Sequence, residues 1–339
     1  MSESLAVKYR PKTFDEVTSQ TSIIKILKRQ IELRTFKNSY IFAGASGCGK
    51  TTTARIFANA INNNQGEPIE IDAASTNGVE KVKQIVSTAG ERSLHSEYKV
   101  YILDECHVYS AQSWQAFLKC IEEPPKYTIF IFCTTDPQKI PDTISNRCMR
   151  FNFTRIDSDH IYNRLKYICE QEGFTNYEDS ISYISKISKG QMRDAVSLLE
   201  KVTAFDTNLD IESTVAFLGN YSYQTFFTLA NAILDGDEKL VVTILDDFYL
   251  QGGDLYQFVE QFLSFNLDIL KYNLLKELSI LQIPAAFESE LKSITSISNA
   301  SEYFSYIIEN LLALKFKLGG DTSPKTTIEI YLLKITRCK

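Results

Sequence analysis

Apolar residues come in short runs, continuous or alternating, through roughly the first 155 positions and at helical spacing after them. Tyr40-Ile-Phe-Ala43, Ile69-Glu-Ile-Asp72, Lys99-Val-Tyr-Ile-Leu-Asp104, Tyr127-Thr-Ile-Phe-Ile-Phe-Cys-Thr-Thr135 and Met149-Arg-Phe-Asn-Phe153 read as five strands. Between them, Ile23, Ile24, Leu27, Ile31 and Leu33 fall on or near one face of a helix, and further helices are expected near 50–62 and 79–90. Strands alternating with helices predict a parallel, doubly wound sheet, which binds ligands beyond the carboxyl ends of its strands.

From 157 onward only helical patterns recur. One group, 157–219, carries Ile161/Leu165/Ile168, Ile181/Ile184/Ile187 and Ala195/Leu198/Leu199; the other, 220–339, includes apolar runs over 255–270 and 303–314. The expected division is therefore an α/β domain 1–156, a helical domain 157–219 and a second helical domain 220–339, with the last boundary at Gly219–Asn220. The final group is apolar on more than one face. It buries surface against a partner as well as itself, or else forms a self-contained bundle.

Composition narrows the class. With 44% hydrophobic residues in 339, ordinary cores can form, and no stretch approaches the roughly 18 uncharged apolar residues of a membrane span. Met1-Ser-Glu-Ser4 has neither a basic nor an apolar leader character, so the expectation is a soluble cytoplasmic protein with no membrane partner. A net charge of −6 argues against a basic nucleic-acid coat, leaving local patches and backbone amides for any such contact. The seven cysteines (48, 106, 120, 133, 148, 169, 338) are scattered singly and read as reduced thiols rather than a disulfide framework or zinc site.

The candidate chemistry starts where the first strand runs into Gly44-Ala-Ser-Gly-Cys-Gly-Lys-Thr51 and then a helix. This is a P-loop: Gly44, Gly47 and Gly49 let successive N–H groups point at phosphate oxygens, and the helix from Thr52 onward aims its positive end at the same anion. Lys50 would reach the β- and γ-phosphates of ATP, and Thr51 would hold Mg²⁺. Asp104, at a strand end, can hold the metal, while Glu105 beside it can polarise an attacking water. The segment before the P-loop is basic, with Lys8, Arg10, Lys12, Lys25, Lys28, Arg29, Arg34 and Lys37. It borders a phosphate-bearing ligand or is simply a solvated helix face.

Several motifs appear in order: Tyr9-Arg-Pro-Lys-Thr-Phe-Asp-Glu-Val17, the P-loop, Ile71-Asp-Ala-Ala-Ser75, Asp104-Glu-Cys-His107, Glu122-Glu-Pro-Pro125, Thr134-Thr-Asp-Pro-Gln-Lys139, Asn146-Arg-Cys148 and Gly190-Gln-Met-Arg-Asp-Ala195. Together they resemble the ATPase subunits of sliding-clamp loaders, in particular the gamma/tau subunits of bacterial DNA polymerase III and, more distantly, replication factor C subunits. Motifs are dense from residue 7 to 199; residues 220–339 match only in helicity and length. The resemblance implies an AAA+ module, a helical lid and a collar through which loader subunits form a ring-like pentamer that acts on a sliding clamp and primer-template DNA. It implies nucleotide contacts from Tyr9, Arg10, Pro11 and Val17, and from Ser46, Cys48 and Thr52 in and after the loop. It makes Thr135 the first sensor, Arg193 the lid's sensor and Arg147 an arginine finger acting on ATP in a neighbouring subunit, where a guanidinium stabilises charge developing in the transition state.

For DNA, Ser75, Thr76, Asn77, Gly78 and Lys83 match the place where loaders track a template backbone, and Ser110 offers a second phosphate site at a helix start. Both are alternatively ordinary turns and caps. Two departures stand out: Asn146 replaces the family's serine before the finger, and residues 62–68 lack the cysteines of the family's zinc module. The chain also stops at 339, without the long tail of tau, as expected of a compact cellular form or a viral loader subunit. Competing functions are another AAA+ remodelling ATPase, such as a branch-migration motor, and an ATP-binding loader scaffold with negligible turnover. Lys50, Asp104, Glu105 and Arg147 speak against the scaffold.

Overall fold

The five apolar runs form one parallel sheet in the computed structural model, which describes residues 3–75, 78–218, 222–250, 252–278 and 280–337. The strands are β1 (Ser39–Gly44), β2 (Ile69–Asp72), β3 (Lys99–Asp104), β4 (Thr128–Thr134) and β5 (Met149–Phe153), in the order β2-β3-β4-β1-β5. Phe42 lies opposite both Cys133 and Phe151, and Asp72 opposite Asp104. The parallel register thus brings the P-loop and the carboxylates to the carboxyl end of the sheet. Central β1 and β4 are covered on both faces, which is why their sequences are continuously apolar rather than alternating.

Six helices accompany this sheet: α1 (Leu5–Lys8), α2 (Thr21–Leu33), α3 (Lys50–Ile61), α4 (Val79–Ala89), α5 (Ala111–Glu122) and α6 (Asp142–Ser145). Side chains alternate between faces. Tyr40, Phe42, Ile102 and Ile131 pack with Leu27 of α2 and Phe57 of α3, whereas Ile41, Leu103 and Phe132 pack with Val82 of α4 and Phe117 of α5. The Ser110 hydroxyl caps α5 by accepting the Ser113 N–H at 3.2 Å, which accounts for that helix start by local chemistry.

After Phe153 the chain is helical: α7 (Ser158–Glu172), α8 (Glu178–Ile187), α9 (Met192–Thr203), α10 (Ile211–Phe217), α11 (Tyr223–Asp235), α12 (Glu238–Leu250), α13 (Leu255–Leu275), α14 (Glu288–Ile294), α15 (Ala300–Leu318) and α16 (Pro324–Arg337). The expected α/β module followed by an all-helical region is the fold observed. Two compact units emerge, Met1–Ile168 with Ser188–Glu200, and Cys169–Ile187 with Lys201–Lys339. The anticipated boundary at Gly219–Asn220 lies outside the described residues. The core of the second unit is rich in aromatic side chains, including Phe226, Phe227, Phe258, Phe262, Phe265 and Phe304. Asp254 caps α13 by accepting from Tyr256 and Gln257 N–H groups, and buried Asp268 accepts the N–H of Gln282 at 2.6 Å, pinning the following loop. Among the described residues no helix is long and apolar enough to cross a membrane.

Candidate nucleotide-binding site

At Gly44 the close approach of β5 leaves no space for a side chain: a Cβ would lie 2.5 Å from the carbonyl oxygen of Phe153. Gly47 has φ +66, and a Cβ there would meet Cβ of Gln191 at 3.0 Å. The Met192 N–H donates to the Gly47 carbonyl at 3.0 Å, so the segment leading to Arg193 is fastened to the loop. Lys50, the first residue of α3, is buried. Its ammonium donates to the carbonyls of Gly44 and Ala45, each at 2.9 Å, which satisfies a charge that would otherwise be costly to bury.

The Thr51 hydroxyl donates to Oδ2 of Asp104 at 2.8 Å, and Oδ1 accepts the Glu105 N–H at 3.0 Å. A hydroxyl and a carboxylate in contact are hard oxygen donors suited to Mg²⁺, which takes few protein ligands and completes its shell with water and phosphate oxygens. Glu105 itself sits at φ +48, a left-handed conformation rare for a residue with a side chain. Its Oε2 accepts the Thr135 hydroxyl at 3.1 Å and lies 3.2 Å from Nδ1 of His107.

These groups open onto a cavity of about 380 Å³. Leu5, Pro11, Val17, Ile156, Met192 and Val196 supply an apolar part of its wall, the kind of surface a flat heterocycle requires. Elsewhere the wall is charged, with Arg10, Lys50, Arg55, Glu70, Asp104 and Arg193. Burial pushes the Arg10 guanidinium below the usual arginine range, the positive charges of Arg55 and Arg193 push the same way, and Glu70 opposes them. Arg55 grips Glu70 with two parallel hydrogen bonds of 2.6 and 2.5 Å. Arg164 donates to the Tyr9 carbonyl at 2.7 Å, fixing the strap that carries Arg10 and Pro11.

Of the residues singled out from sequence, Tyr9, Arg10, Pro11 and Val17 line this cavity, as do Ser46 through Thr52. Asp104, Glu105 and Arg193 join them. Gly44 and Thr135 stand behind the wall, the first shaping the loop through Lys50 and the second through Glu105. Arg147 is not among the residues of this cavity; its guanidinium lies 2.8 Å from Glu122 and donates to the Thr143 carbonyl at 2.7 Å. The basic N-terminal segment divides: Arg10 faces the cavity, whereas Lys28 and Arg29 pair with Asp15 and Glu32 at the surface, and Arg34 pairs with Glu97.

In the proposed DNA contact, Thr76 and Asn77 lie outside the described residues. The Ser75 hydroxyl donates to the Asp72 carbonyl at 3.0 Å, Gly78 precedes α4, and Lys83 pairs with Glu80 at 3.0 Å. Arg55, Glu70 and Arg164 escaped the sequence reading. Arg55 alone carried a local signal, being four residues beyond Thr51 and therefore on the same face of α3.

Curated relatives are 33–35% identical to this chain over much of its length. The chain is 34% identical to the DNA polymerase III subunit gamma/tau of Mycoplasma genitalium, covering 89% of this chain and 54% of that one. It is 35% identical to the tau subunit of Bacillus subtilis over 78% of this chain and 51% of the relative. Against the gamma subunit of Buchnera aphidicola subsp. Schizaphis graminum, identity is 33% over 71% of this chain and 73% of the relative. The chain belongs to the DNA polymerase III gamma/tau family. It spans about half the length of the Mycoplasma and Bacillus members. Residues 68–157 also match the family model described as DNA polymerase III, delta subunit. Among solved structures, the Thermotoga maritima RuvB Holliday junction branch migration motor superposes with a TM-score of 0.54 over 67% of this chain and 79% of its own. At 18% identity that likeness shows the AAA+ fold alone.

Proposed function

We propose that this chain is an ATPase subunit of a clamp loader, coupling the binding and hydrolysis of ATP with Mg²⁺ to the opening of a sliding clamp and its closure around primer-template DNA. The observation that carries the reading is the meeting of Lys50, the Thr51–Asp104 pair and Glu105 at one cavity, in a chain of the gamma/tau family.

Magnesium, bound with the nucleotide, would supply charge neutralisation at the β- and γ-phosphates. Thr51 and Asp104 would hold it, and their oxygens are already in contact. Lys50 is poised to trade its two loop carbonyls for phosphate oxygens, a stronger charge-assisted bond. Glu105 orients and deprotonates the attacking water, with Thr135 holding its carboxylate. Arg193 closes on the γ-phosphate from the same chain. Arg147, half-exposed and held by Glu122, reaches the ATP of a neighbouring subunit, which makes turnover depend on assembly.

In this reading 157–219 is the lid, and 220–339 is the collar of a pentameric ring in the cytoplasm. Exposed apolar side chains in the last segment, such as Leu250, Leu274 and Phe316, favour burial against other subunits. Ser75 to Gly78, Lys83 and the α5 start at Ser110 are the proposed DNA contacts. The test is the ATPase rate of the assembled loader with and without clamp and primer-template DNA. Stimulation by both together is expected. Tight ATP binding with no turnover under any of these conditions would favour the scaffold reading.

A further inference from the structure

Beyond the P-loop, the charged part of the cavity holds the Arg55–Glu70 pair beside Arg10, which the phosphate- and metal-binding groups leave without a part. Residues on β2 alternate, and Ile71 packs toward α4 and α5. Glu70 therefore faces the opposite side, where α3 carries Arg55 one turn beyond Thr51. Arg10, Arg55 and Arg193 border the same space, as does Arg164, and both Arg55 and Arg193 act unfavourably on Arg10. Such a cluster is stable when an anion lies among its members, and in this structure Glu70 takes that position. As a stabilising device the pair would be weak, because both side chains remain about one-third exposed (36% and 31%).

We propose that Glu70 is an internal competitor for the γ-phosphate: it holds Arg55, beside Arg10, until a nucleoside triphosphate takes the guanidinium over, so that the Arg55–Glu70 pair sets the preference for triphosphate over diphosphate. The inference rests on the nucleotide-binding reading of the cavity. The γ-phosphate adds negative charge at the charged part of the wall. A carboxylate there opposes a triphosphate more than a diphosphate, and a freed guanidinium favours it more. Glu70 thereby limits the affinity for ATP.

The experiment measures the dissociation constants of AMP-PNP and ADP, both with Mg²⁺, for the full chain. Glu70→Gln keeps the side-chain volume and removes the charge. It should raise the preference for AMP-PNP over ADP by about threefold to tenfold, as expected for one charge acting at a partly solvated site. Arg55→Gln should lower that preference by a similar factor. The double substitution should return it toward the wild-type value, because the two opposing charges leave together. A preference unchanged within twofold in Glu70→Gln, with both nucleotides still bound, overturns the proposal, whatever the folding of Arg55→Gln. If the wild-type chain binds neither nucleotide, the nucleotide reading of the cavity falls, and this inference falls with it.

Discussion

The hydroxyl of Thr51 and Oδ2 of Asp104 meet at 2.8 Å, tying the first turn of α3 to the tip of β3. If that contact is where Mg²⁺ enters, Thr51→Val, which keeps the shape and loses the oxygen, should weaken nucleotide binding about tenfold in Mg²⁺ and hardly at all in EDTA. Titration with a fluorescent ATP analogue under both conditions measures this. An equal loss in EDTA would place the defect in the loop and not in metal binding.

Glu105 is held in an unfavourable backbone conformation with its carboxylate against Thr135, an arrangement that keeps the carboxylate in one orientation. Glu105→Gln should preserve ATP affinity within a few-fold while lowering turnover in the assembled loader by about 10² to 10⁴. Single-turnover hydrolysis at the wild-type rate would remove Glu105 from the chemistry.

Arg147 and Lys50 are proposed to serve one ATP from different chains. Arg147→Ala should keep nucleotide affinity yet depress hydrolysis in the complex by about 10³ or more, the range of a trans arginine in phosphoryl transfer. Mixed assemblies of Lys50→Ala and Arg147→Ala subunits should regain part of the activity wherever an intact finger meets an intact pocket. No recovery in assemblies with verified subunit exchange would make Arg147 a structural partner of Glu122.

Stability should fall in alkaline solution. Burial raises the Cys148 thiol from 9.0 to about 12 and the Tyr40 phenol from 10.0 to about 12. Both groups bind their protons more tightly when folded, so their contribution is fully present below pH 9 and is lost as pH rises from there through 12. Urea midpoints at pH 7.5 and 10.5 should differ by an amount equivalent to about 1–2 kcal/mol from Cys148, and Cys148→Ala should reduce the difference. The same pH dependence in wild type and Cys148→Ala would assign it to other groups.

The sequence by itself determined the strands, the P-loop and the strand-end carboxylates, because each depends on residues adjacent in the chain. A buried parallel strand must be continuously apolar, and a P-loop must have small residues at fixed spacing and lead into a helix. The extents of α3, α4 and all five strands follow the pattern within a residue or two. The resemblance of the ordered motifs to gamma/tau subunits was likewise legible, since the residues carrying it lie in short segments.

Only the tertiary structure decided which distant groups share a charge. Glu70 reads in sequence as one polar residue of a short edge strand, and its grip on Arg55 exists because strand register and helix phase bring positions 15 apart into contact. Thr135 reaches Glu105 across adjacent strands, Arg147 finds Glu122 at the far end of α5, and Arg164 fastens the Tyr9 strap from 155 residues away. Hydrophobic periodicity specifies the face an element buries. The pairing of long polar side chains depends on separations of a few ångströms between elements, which packing sets and no local pattern records.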